Sequence, residues 1–198
     1  MERSKAVILF LITGLIIGSF WQIFFAMPIV GHFWFLLLYT LLVISVESKP
    51  LKVWFIIVAV FTHVVEVIGV ATGFVFGSYQ YGTVLGFQIG GVPIVIGLQW
   101  ALIAMGLSYI CFPITQNKYV RAFLVSVLAV VFDFVLEIAA IKLGFWSWSA
   151  VQVPILNYIA WFAIAFISTI FIPKRPNFVS WYAVLALFFV IVAFVVLL

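Results

Sequence analysis

Apolar residues occur in long runs along almost the whole chain, and short stretches with proline, glycine or charge separate the runs. Each run is close to the roughly 20 residues that a helix needs to cross a hydrocarbon core of about 30 Å. The pattern predicts an all-α fold, a polytopic transmembrane bundle of about seven helices that forms a single transmembrane domain over residues 1–198. The predicted spans are 6–27, 30–46, 53–72, 93–112, 119–141, 154–172 and 179–198.

The breaks between the predicted spans follow the rules for helix ends. Proline or a polar cluster ends several runs, and a glycine-rich stretch separates the third span from the fourth. The breaks are Pro28, ESKP (47–50), residues 73–91, Pro113 and IPKRP (172–176). Gly14 and Gly18 have the spacing that permits close helix packing in membranes, as do Gly69 and Gly73. No internal repeat is evident in the sequence.

The composition supports a membrane protein. Of the 198 residues, 68% are hydrophobic and only 7% are charged, whereas soluble domains have about 25% charged residues. Most of the surface must therefore face the lipid bilayer, and we expect a multi-pass protein of the cell membrane. The first apolar run is too long for the core of a signal peptide, so we interpret it as a span. The single cysteine, Cys111, has no partner for an internal disulfide.

The net charge of +4 does not indicate a nucleic-acid partner, because the basic residues lie at the ends of the predicted spans, where they set topology. With seven spans, all but one fall on the same side of the membrane. That side has Arg3, Lys5, Lys49, Lys52, Lys118, Arg121, Lys174 and Arg175, and the other side has Lys142. The positive-inside rule then predicts a cytoplasmic N-terminus and an outer C-terminus.

Three carboxylates interrupt the apolar spans: Glu66 in the third, and Asp133 and Glu137 in the fifth. A charged group at the centre of a bilayer costs about 2.5–3.5 kcal/mol, so such residues are candidates for function. His63 lies one turn before Glu66, and Asp133 and Glu137 are one turn apart, so each pair shares a helix face. Gln99 adds an amide in the fourth span.

These polar side chains lie at similar depths, in the outer third of the membrane if each helix rises about 1.5 Å per residue. Two uncharged, aromatic-rich outer loops, FGSYQYG (76–82) and FWSWS (145–149), lie just above them. The sequence therefore predicts one acidic and aromatic pocket that opens near the outer leaflet. The candidate catalytic residues are Glu66, Asp133 and Glu137, and the candidate substrate-binding residues are His63, Tyr79, Tyr81, Gln99, Trp146, Trp148, Asn157 and Trp161.

Purely structural roles for these residues compete with the interpretation as a pocket. The acids would then hydrogen-bond helices to one another, His63 would fill a packing position, and the aromatic residues would form the interfacial belt. A mixed metal site of His63, Glu66, Asp133 and Glu137 is conceivable, but four mixed ligands on two helices are a weak signal. We expect neither a metal nor a cofactor.

Several membrane chemistries do not fit the residues present. Two histidines are too few for a histidine-rich di-iron centre, no pair of aspartate motifs suits Mg²⁺-diphosphate binding, and the seventh span has no lysine for a retinal Schiff base. What remains is acid–base chemistry on an apolar substrate dissolved in the membrane. A carboxylic acid buried in low dielectric keeps its proton and can protonate an alkene. Aromatic faces and a second carboxylate would stabilise the resulting carbocation, and water would capture it.

Two runs of residues resemble the carotenoid biosynthesis membrane protein family, whose members include carotenoid 1,2-hydratases such as the bisanhydrobacterioruberin hydratases. The first run is HVVEVIGVATG (63–73), FGSYQY (76–81), LG (85–86) and VP (92–93). The second is DFVLE (133–137), LGFWSW (143–148) and VPILNYIAW (153–161). The chain departs from the family pattern at Glu137-Ile138, where members often have Asp-Pro, and at Gln152, where glycine is usual.

The resemblance implies addition of water across a terminal isoprenoid double bond of an acyclic carotenoid, which gives a tertiary alcohol. It also makes other enzymes of carotenoid biosynthesis candidate partners. Two alternatives stay open. A carotenoid end-group cyclase also begins by protonating an alkene, but a neighbouring double bond captures the cation instead of water. A non-enzymatic carotenoid or lipid carrier would only bind.

Overall fold

The computed structural model describes residues 2–24, 32–150 and 152–197. The predicted break at Pro28, with the adjoining ends of the first two spans, lies outside the described residues. The described part of the chain forms seven helices: α1 (Glu2–Phe24), α2 (His32–Ser45), α3 (Lys49–Thr72), α4 (Ile94–Cys111), α5 (Lys118–Lys142), α6 (Ile155–Ile170) and α7 (Phe178–Leu197). The prediction of an all-α helical bundle is therefore confirmed.

Four helices are long and apolar enough to cross a membrane by length and composition, namely α3, α4, α5 and α7. The apolar parts of α1, α2 and α6 are shorter. The third helix begins before the predicted residue 53, at Lys49, because Pro50 occupies its first turn, where a missing backbone N–H costs nothing. Helix α5 begins after Asn117, whose side chain accepts hydrogen bonds from the backbone N–H groups of Tyr119 and Val120.

Helix α4 lies at the centre of the bundle, where it contacts α2, α3, α5, α6 and α7. In α4, 78% of the residues in its apolar 18-residue stretch are buried, whereas the corresponding stretches of the other three long helices are 39–44% buried. Two glycines permit this packing. A Cβ on Gly97 would lie 3.0 Å from the Cβ of His63, and one on Gly106 would lie 2.6 Å from the Ser180 carbonyl oxygen. Among the described residues, in contrast, nothing lies within 4 Å of a Cβ placed on Gly14, so the close helix contact that the Gly14/Gly18 spacing permits is not made there.

Four short strands lie between the helices: β1 (Tyr79–Tyr81), β2 (Gln88–Ile89), β3 (Val92–Pro93) and β4 (Trp146–Trp148). β2 and β3 form a small hairpin, whereas β1 pairs antiparallel with β4 across the two helices α4 and α5 that separate them in the chain. The β1–β4 register is Tyr79 with Trp148, Gln80 with Ser147 and Tyr81 with Trp146. The two regions interpreted as loops are thus one two-stranded structure, which we call the ribbon. The end of the bundle that carries it is the sheet end.

The opposite end, which we call the basic end, contains the turns after α2, α4 and α6 and most of the lysines and arginines. The buried Glu47 holds this end together. Its Oε1 accepts hydrogen bonds from the backbone N–H of Asn177 at 2.7 Å and from the Ser180 hydroxyl at 2.6 Å. This carboxyl therefore ties the turn between α2 and α3 to the start of α7.

The structure shows a repeat that the sequence analysis missed, since α3–β1–α4 and α5–β4–α6 share one architecture. Each segment has a long helix with a buried glutamate seven residues before a glycine of positive φ, Glu66 before Gly73 (φ 69°) and Glu137 before Gly144 (φ 68°). Each continues through an aromatic–x–aromatic strand and a Val-Pro pair into a helix with a tryptophan seven residues after the proline. The loop before the strand is shorter in the second segment, which hides the repeat in the sequence.

Equivalent residues of the two segments meet. Trp100 of α4 and Trp161 of α6 stack on each other with ring centroids 3.6 Å apart. The antiparallel ribbon likewise joins the equivalent strands at their midpoints, Gln80 and Ser147. The two segments therefore meet through equivalent residues at two places, the ribbon and the tryptophan pair.

Candidate active site

The inner face of the ribbon presents hydroxyl and indole donors to the helices below it. Tyr79 and Tyr81 of β1 both donate to Oε2 of Glu66, the second at 3.0 Å. Glu66 is only 3% exposed, and a buried carboxyl without partners would be costly. The two-residue period of a strand explains the arrangement, because it turns alternate side chains to the same face. The Tyr-x-Tyr pattern thus provides two donors for one acid.

Strand β4 likewise provides hydrogen-bond donors for the buried carboxyls of α5. Trp146 and Trp148 of β4 donate their indole N–H groups to Oε2 of Glu137, each at 2.9 Å. Asn157 of α6 donates to Glu137 Oε1 at 3.3 Å and to Asp133 Oδ2 at 2.9 Å. Asp133 and Glu137 are 1% and 3% exposed, so one amide joins two buried carboxyls that lie one turn apart on α5.

The three carboxyls differ in how many of their oxygens accept a hydrogen bond from a described side chain. Both oxygens of Glu137 accept hydrogen bonds from described side chains. No described side chain donates to the other oxygen of Glu66, Oε1, or to that of Asp133, Oδ1. Among the described residues, Glu66 and Asp133 thus each have one oxygen without a donor, whereas both oxygens of Glu137 accept hydrogen bonds.

A mainly apolar cavity of about 310 Å³ lies among the helices beneath the ribbon. This volume is within the range of small-molecule sites, which are concave, largely apolar and provided with few polar groups. All of the site residues predicted from the sequence line the cavity except His63; they are Glu66, Tyr79, Tyr81, Gln99, Asp133, Glu137, Trp146, Trp148, Asn157 and Trp161. The structure thus brings the polar residues of α3, α4, α5 and α6 into one site.

A stack of three aromatic rings forms part of this site. Trp161 lies between Trp100, at a centroid distance of 3.6 Å, and Phe76, at 5.3 Å. Trp100 and Trp161 both line the cavity, and indole faces are the aromatic surfaces that attract cations best. Sequence reasoning included Trp161 but not Trp100. The equal spacing of each tryptophan from its Val-Pro pair was the signal that could have found it.

His63 lies outside the cavity, and Gln99 lines it but hydrogen-bonds to α2. His63 packs against Gly97 at the contact between α3 and α4, and its buried Nε2 has no hydrogen-bond partner in the part of the chain that the structure describes. Gln99 lines the cavity, and its Nε2 donates to Thr40 Oγ1 at 2.8 Å and to the Leu36 carbonyl at 3.3 Å. Since Thr40 itself donates to Leu36, the amide orientation of Gln99 is determined by this network.

Helices α1, α2 and α7 also contribute to the cavity wall, although no polar residue in these spans indicated it. Gly14 and Gly18 of α1 lie at the wall with nothing within 4 Å of their Cβ positions, so their lack of side chains leaves room inside the cavity. The other contributions are apolar residues such as Phe35, Leu36, Val190 and Phe194. Such residues cannot be told from lipid-facing ones by residue type alone.

The tyrosines of the ribbon lie beyond the end of α3, and their surroundings keep them protonated. Burial, and next the neighbouring Glu66 carboxylate, raise the pKa of both Tyr79 and Tyr81 above the usual value for a phenol. They therefore remain hydrogen-bond donors at neutral pH. Among the described residues, no group of three or more His, Cys, Asp and Glu side chains could hold a metal ion.

Comparison with known proteins identifies the family of this chain. The family of carotenoid biosynthesis proteins matches residues 26–197, and the chain belongs to this family. A bisanhydrobacterioruberin hydratase of Haloarcula japonica is 31% identical over 120 residues, which cover 51% of this chain and 37% of that protein. The chain thus spans well under half of that relative's length. No solved structure matches the chain.

Proposed function

We propose that the chain is a carotenoid hydratase that adds water across a terminal isoprenoid double bond of an acyclic carotenoid. The observation that carries this proposal is the position of three buried carboxyls on the wall of one apolar cavity, in a member of a carotenoid biosynthesis family. The name of the hydratase from Haloarcula japonica supports the choice of reaction. The apolar wall suits the end of a hydrocarbon chain, which would enter from the lipid bilayer.

The hydrogen bonds suggest which carboxyl does what. A proton donor needs an oxygen that faces the substrate, and Glu66 and Asp133 each have one to which no described residue donates. Either can act as the general acid, with the other as the base. Glu137, with donors on both oxygens, is held in place by the ribbon and orients Asn157, which also donates to Asp133.

The proposed reaction needs only a proton and a water molecule. The carboxyl O–H breaks and a new C–H bond forms at the less substituted alkene carbon, so the positive charge falls on the tertiary carbon. Trp100, which lines the cavity, offers its indole to this cation, whereas both faces of Trp161 are covered by Trp100 and Phe76. The oxygen of water then bonds to the tertiary carbon and releases its extra proton to a carboxylate. The sum is alkene plus water to tertiary alcohol, with no change of oxidation state.

We also propose the membrane arrangement. The segregation of basic residues at one end of the bundle supports a multi-pass protein of the cell membrane with the basic end in the cytoplasm and the sheet end outside. Residues 1–198 would then form a single transmembrane domain. Other carotenoid-biosynthesis enzymes remain candidate partners, because they would supply the acyclic substrate through the same bilayer.

Isotope labelling tests the proposal. Membranes of a lycopene-producing host that expresses the chain are incubated in D₂O or in ¹⁸O-labelled water, and the pigments are analysed by chromatography and mass spectrometry. We expect one carbon-bound deuterium next to the new carbinol and the heavy oxygen in the hydroxyl. Deuterium without a hydroxyl would identify a cyclase, oxygen derived from O₂ would identify an oxygenase, and unchanged pigment would favour a carrier.

A further inference from the structure

A second cavity, of about 370 Å³, lies on the other side of the ribbon at the sheet end. We call it the vestibule. Its wall is mainly polar and uncharged, with side chains from the end of α3 and from both strands; they include Thr72, Ser78, Gln80, Ser147 and Ser149. These five residues are all exposed. Water that enters the vestibule can therefore hydrogen-bond to the polar backbone groups beyond the end of α3, which lipid could not satisfy.

Two side chains separate the vestibule from the acidic site. Among the described residues, Tyr79 and Trp148 alone line both cavities. They are cross-strand partners, and their ring centroids are 4.9 Å apart. Both are half-buried, whereas Trp146, in the next inward-facing pair, is buried. Tyr79 and Trp148 therefore lie between the two cavities.

We infer that the vestibule supplies the water that the proposed hydration consumes, and that this water passes between Tyr79 and Trp148. The inference rests on the proposed function. The acidic cavity is otherwise walled mainly by apolar residues, such as Ile96, Leu136 and Val190, which give water no hydrogen bonds on the way in.

We call Tyr79 and Trp148 the gate residues. Their hydrogen bonds determine where water that passes between them would bind. Tyr79 donates to Glu66, and Trp148 donates to Glu137 at 2.9 Å. A water molecule that displaces either donor takes over its hydrogen bond, because water donates equally well. It therefore arrives bound to a carboxylate, beside the carbon that it attacks and beside a base for its proton.

The two gate residues also differ in a way that favours one of them for proton transfer. A phenol hydroxyl both donates and accepts hydrogen bonds, whereas an indole N–H only donates. Tyr79 can therefore pass a proton from vestibule water to Glu66, and Trp148 cannot do so for Glu137. The Glu66 half of the repeat is the half that can be reprotonated through the vestibule after each turnover.

Reversible blocking of the vestibule tests this inference on the folded protein. Ser147→Cys places a thiol on the exposed face of β4, in the vestibule wall. The purified variant in lipid vesicles is labelled with a bulky aromatic thiosulfonate, given lycopene in D₂O, and later treated with a reductant. Thr83→Cys, exposed on the same side of the bundle but outside the vestibule, is the matched control. The unsubstituted protein controls for the buried Cys111.

We expect labelling of Ser147→Cys to abolish hydration in proportion to its extent and the reductant to restore it. Deuterium incorporation into the recovered lycopene should fall as well, because Glu66 is reprotonated through the same vestibule, whereas labelled Thr83→Cys should keep both activities. Unchanged hydration after complete labelling of Ser147→Cys overturns the vestibule route alone, as does an equal loss of hydration in labelled Thr83→Cys. No hydration by the unlabelled protein overturns the proposed function and this inference with it.

Discussion

Tyr79 and Trp148 face each other across the ribbon, yet their polar groups hydrogen-bond to carboxyls on different helices, Glu66 on α3 and Glu137 on α5. The pair therefore couples the two halves of the repeat at the point where the acidic cavity approaches the vestibule. Any change in the spacing of β1 and β4 alters hydrogen bonds to both acids together, so the donors of Glu66 and Glu137 should behave as one unit in mutagenesis.

The acids give the first prediction. Glu66→Gln and Asp133→Asn should each lower activity by about 10²–10⁴-fold, the contribution of a general acid or base. Glu137→Gln should lower it less, because it leaves the proton donor intact. Activity is measured as hydroxylated carotenoid formed per amount of folded protein.

Glu47→Gln, a buried acid at the basic end, is the control and should reduce stability while activity per folded molecule stays the same. More than a few per cent activity in both Glu66→Gln and Asp133→Asn would exclude a direct role for these residues.

The tyrosine donors give the second prediction. Tyr81→Phe removes one of the two hydroxyls that hold Glu66, and a hydrogen bond to a charged group is worth about 1.5–3 kcal/mol. We expect a loss of roughly tenfold or more in kcat/KM. Tyr39→Phe is the matched control, since the Tyr39 hydroxyl is also buried and donates to the Ala183 carbonyl, away from the cavity. If both variants lose activity equally, the effect is general and not a property of the site.

Two glycine substitutions should have opposite effects on stability. Gly97→Ala forces a methyl group against the Ala59 carbonyl and the Cβ of His63, and overpacking of this kind typically costs about 1–3 kcal/mol. Gly14→Ala meets no neighbouring atom and should stabilise α1 by up to about 1 kcal/mol through helix propensity. Thermal unfolding in detergent compares the two. Equal midpoints would show that α4 is less tightly packed than described.

The same α1 glycine allows a test of cavity space. Gly14→Leu directs a large side chain from the cavity wall where the structure leaves room. We expect it to raise KM for the carotenoid with little change in unfolding temperature. Val7→Leu, an exposed position on α1 outside the cavity, is the control and should alter neither quantity. A KM unchanged by Gly14→Leu would place the substrate elsewhere.

Membrane sidedness gives the next prediction. Ser149→Cys and Lys174→Cys lie exposed at the sheet end and the basic end, respectively. In intact cells a membrane-impermeant thiol reagent should label only the first. The native Cys111 is buried and should give little background. Labelling of Lys174→Cys alone would reverse the proposed orientation and place the vestibule in the cytoplasm.

The sequence predicted the bundle and most of the site because polar residues in apolar spans are a strong signal. Glu66, Asp133 and Glu137 stand out by their cost in lipid, and Asn157 and the paired aromatics lie in the stretches that meet them. The pairing of β1 with β4 could not be foreseen, since strands of three residues carry almost no pattern and their partners are distant in the chain. The aromatic groups were therefore interpreted as separate loops.

Other parts of the site lacked any sequence signal. Val190 and Phe194 have the same character whether they face lipid or a cavity, so the contribution of α7 follows only from packing. His63 lies outside the cavity that the other predicted residues line. Its helix face suggested a place beside Glu66, but the close approach permitted by Gly97 holds it at the contact with α4 instead.

The short distance along the chain between each glutamate and its donors has a consequence for synthesis of the protein. Tyr79 and Tyr81 follow Glu66 by 13 and 15 residues, and the two indoles follow Glu137 by 9 and 11 residues. α3 can therefore leave the translocon with hydrogen-bond donors that its own next segment supplies, before the second acidic helix has been translated, and α5 likewise finds its indole donors in its own next segment.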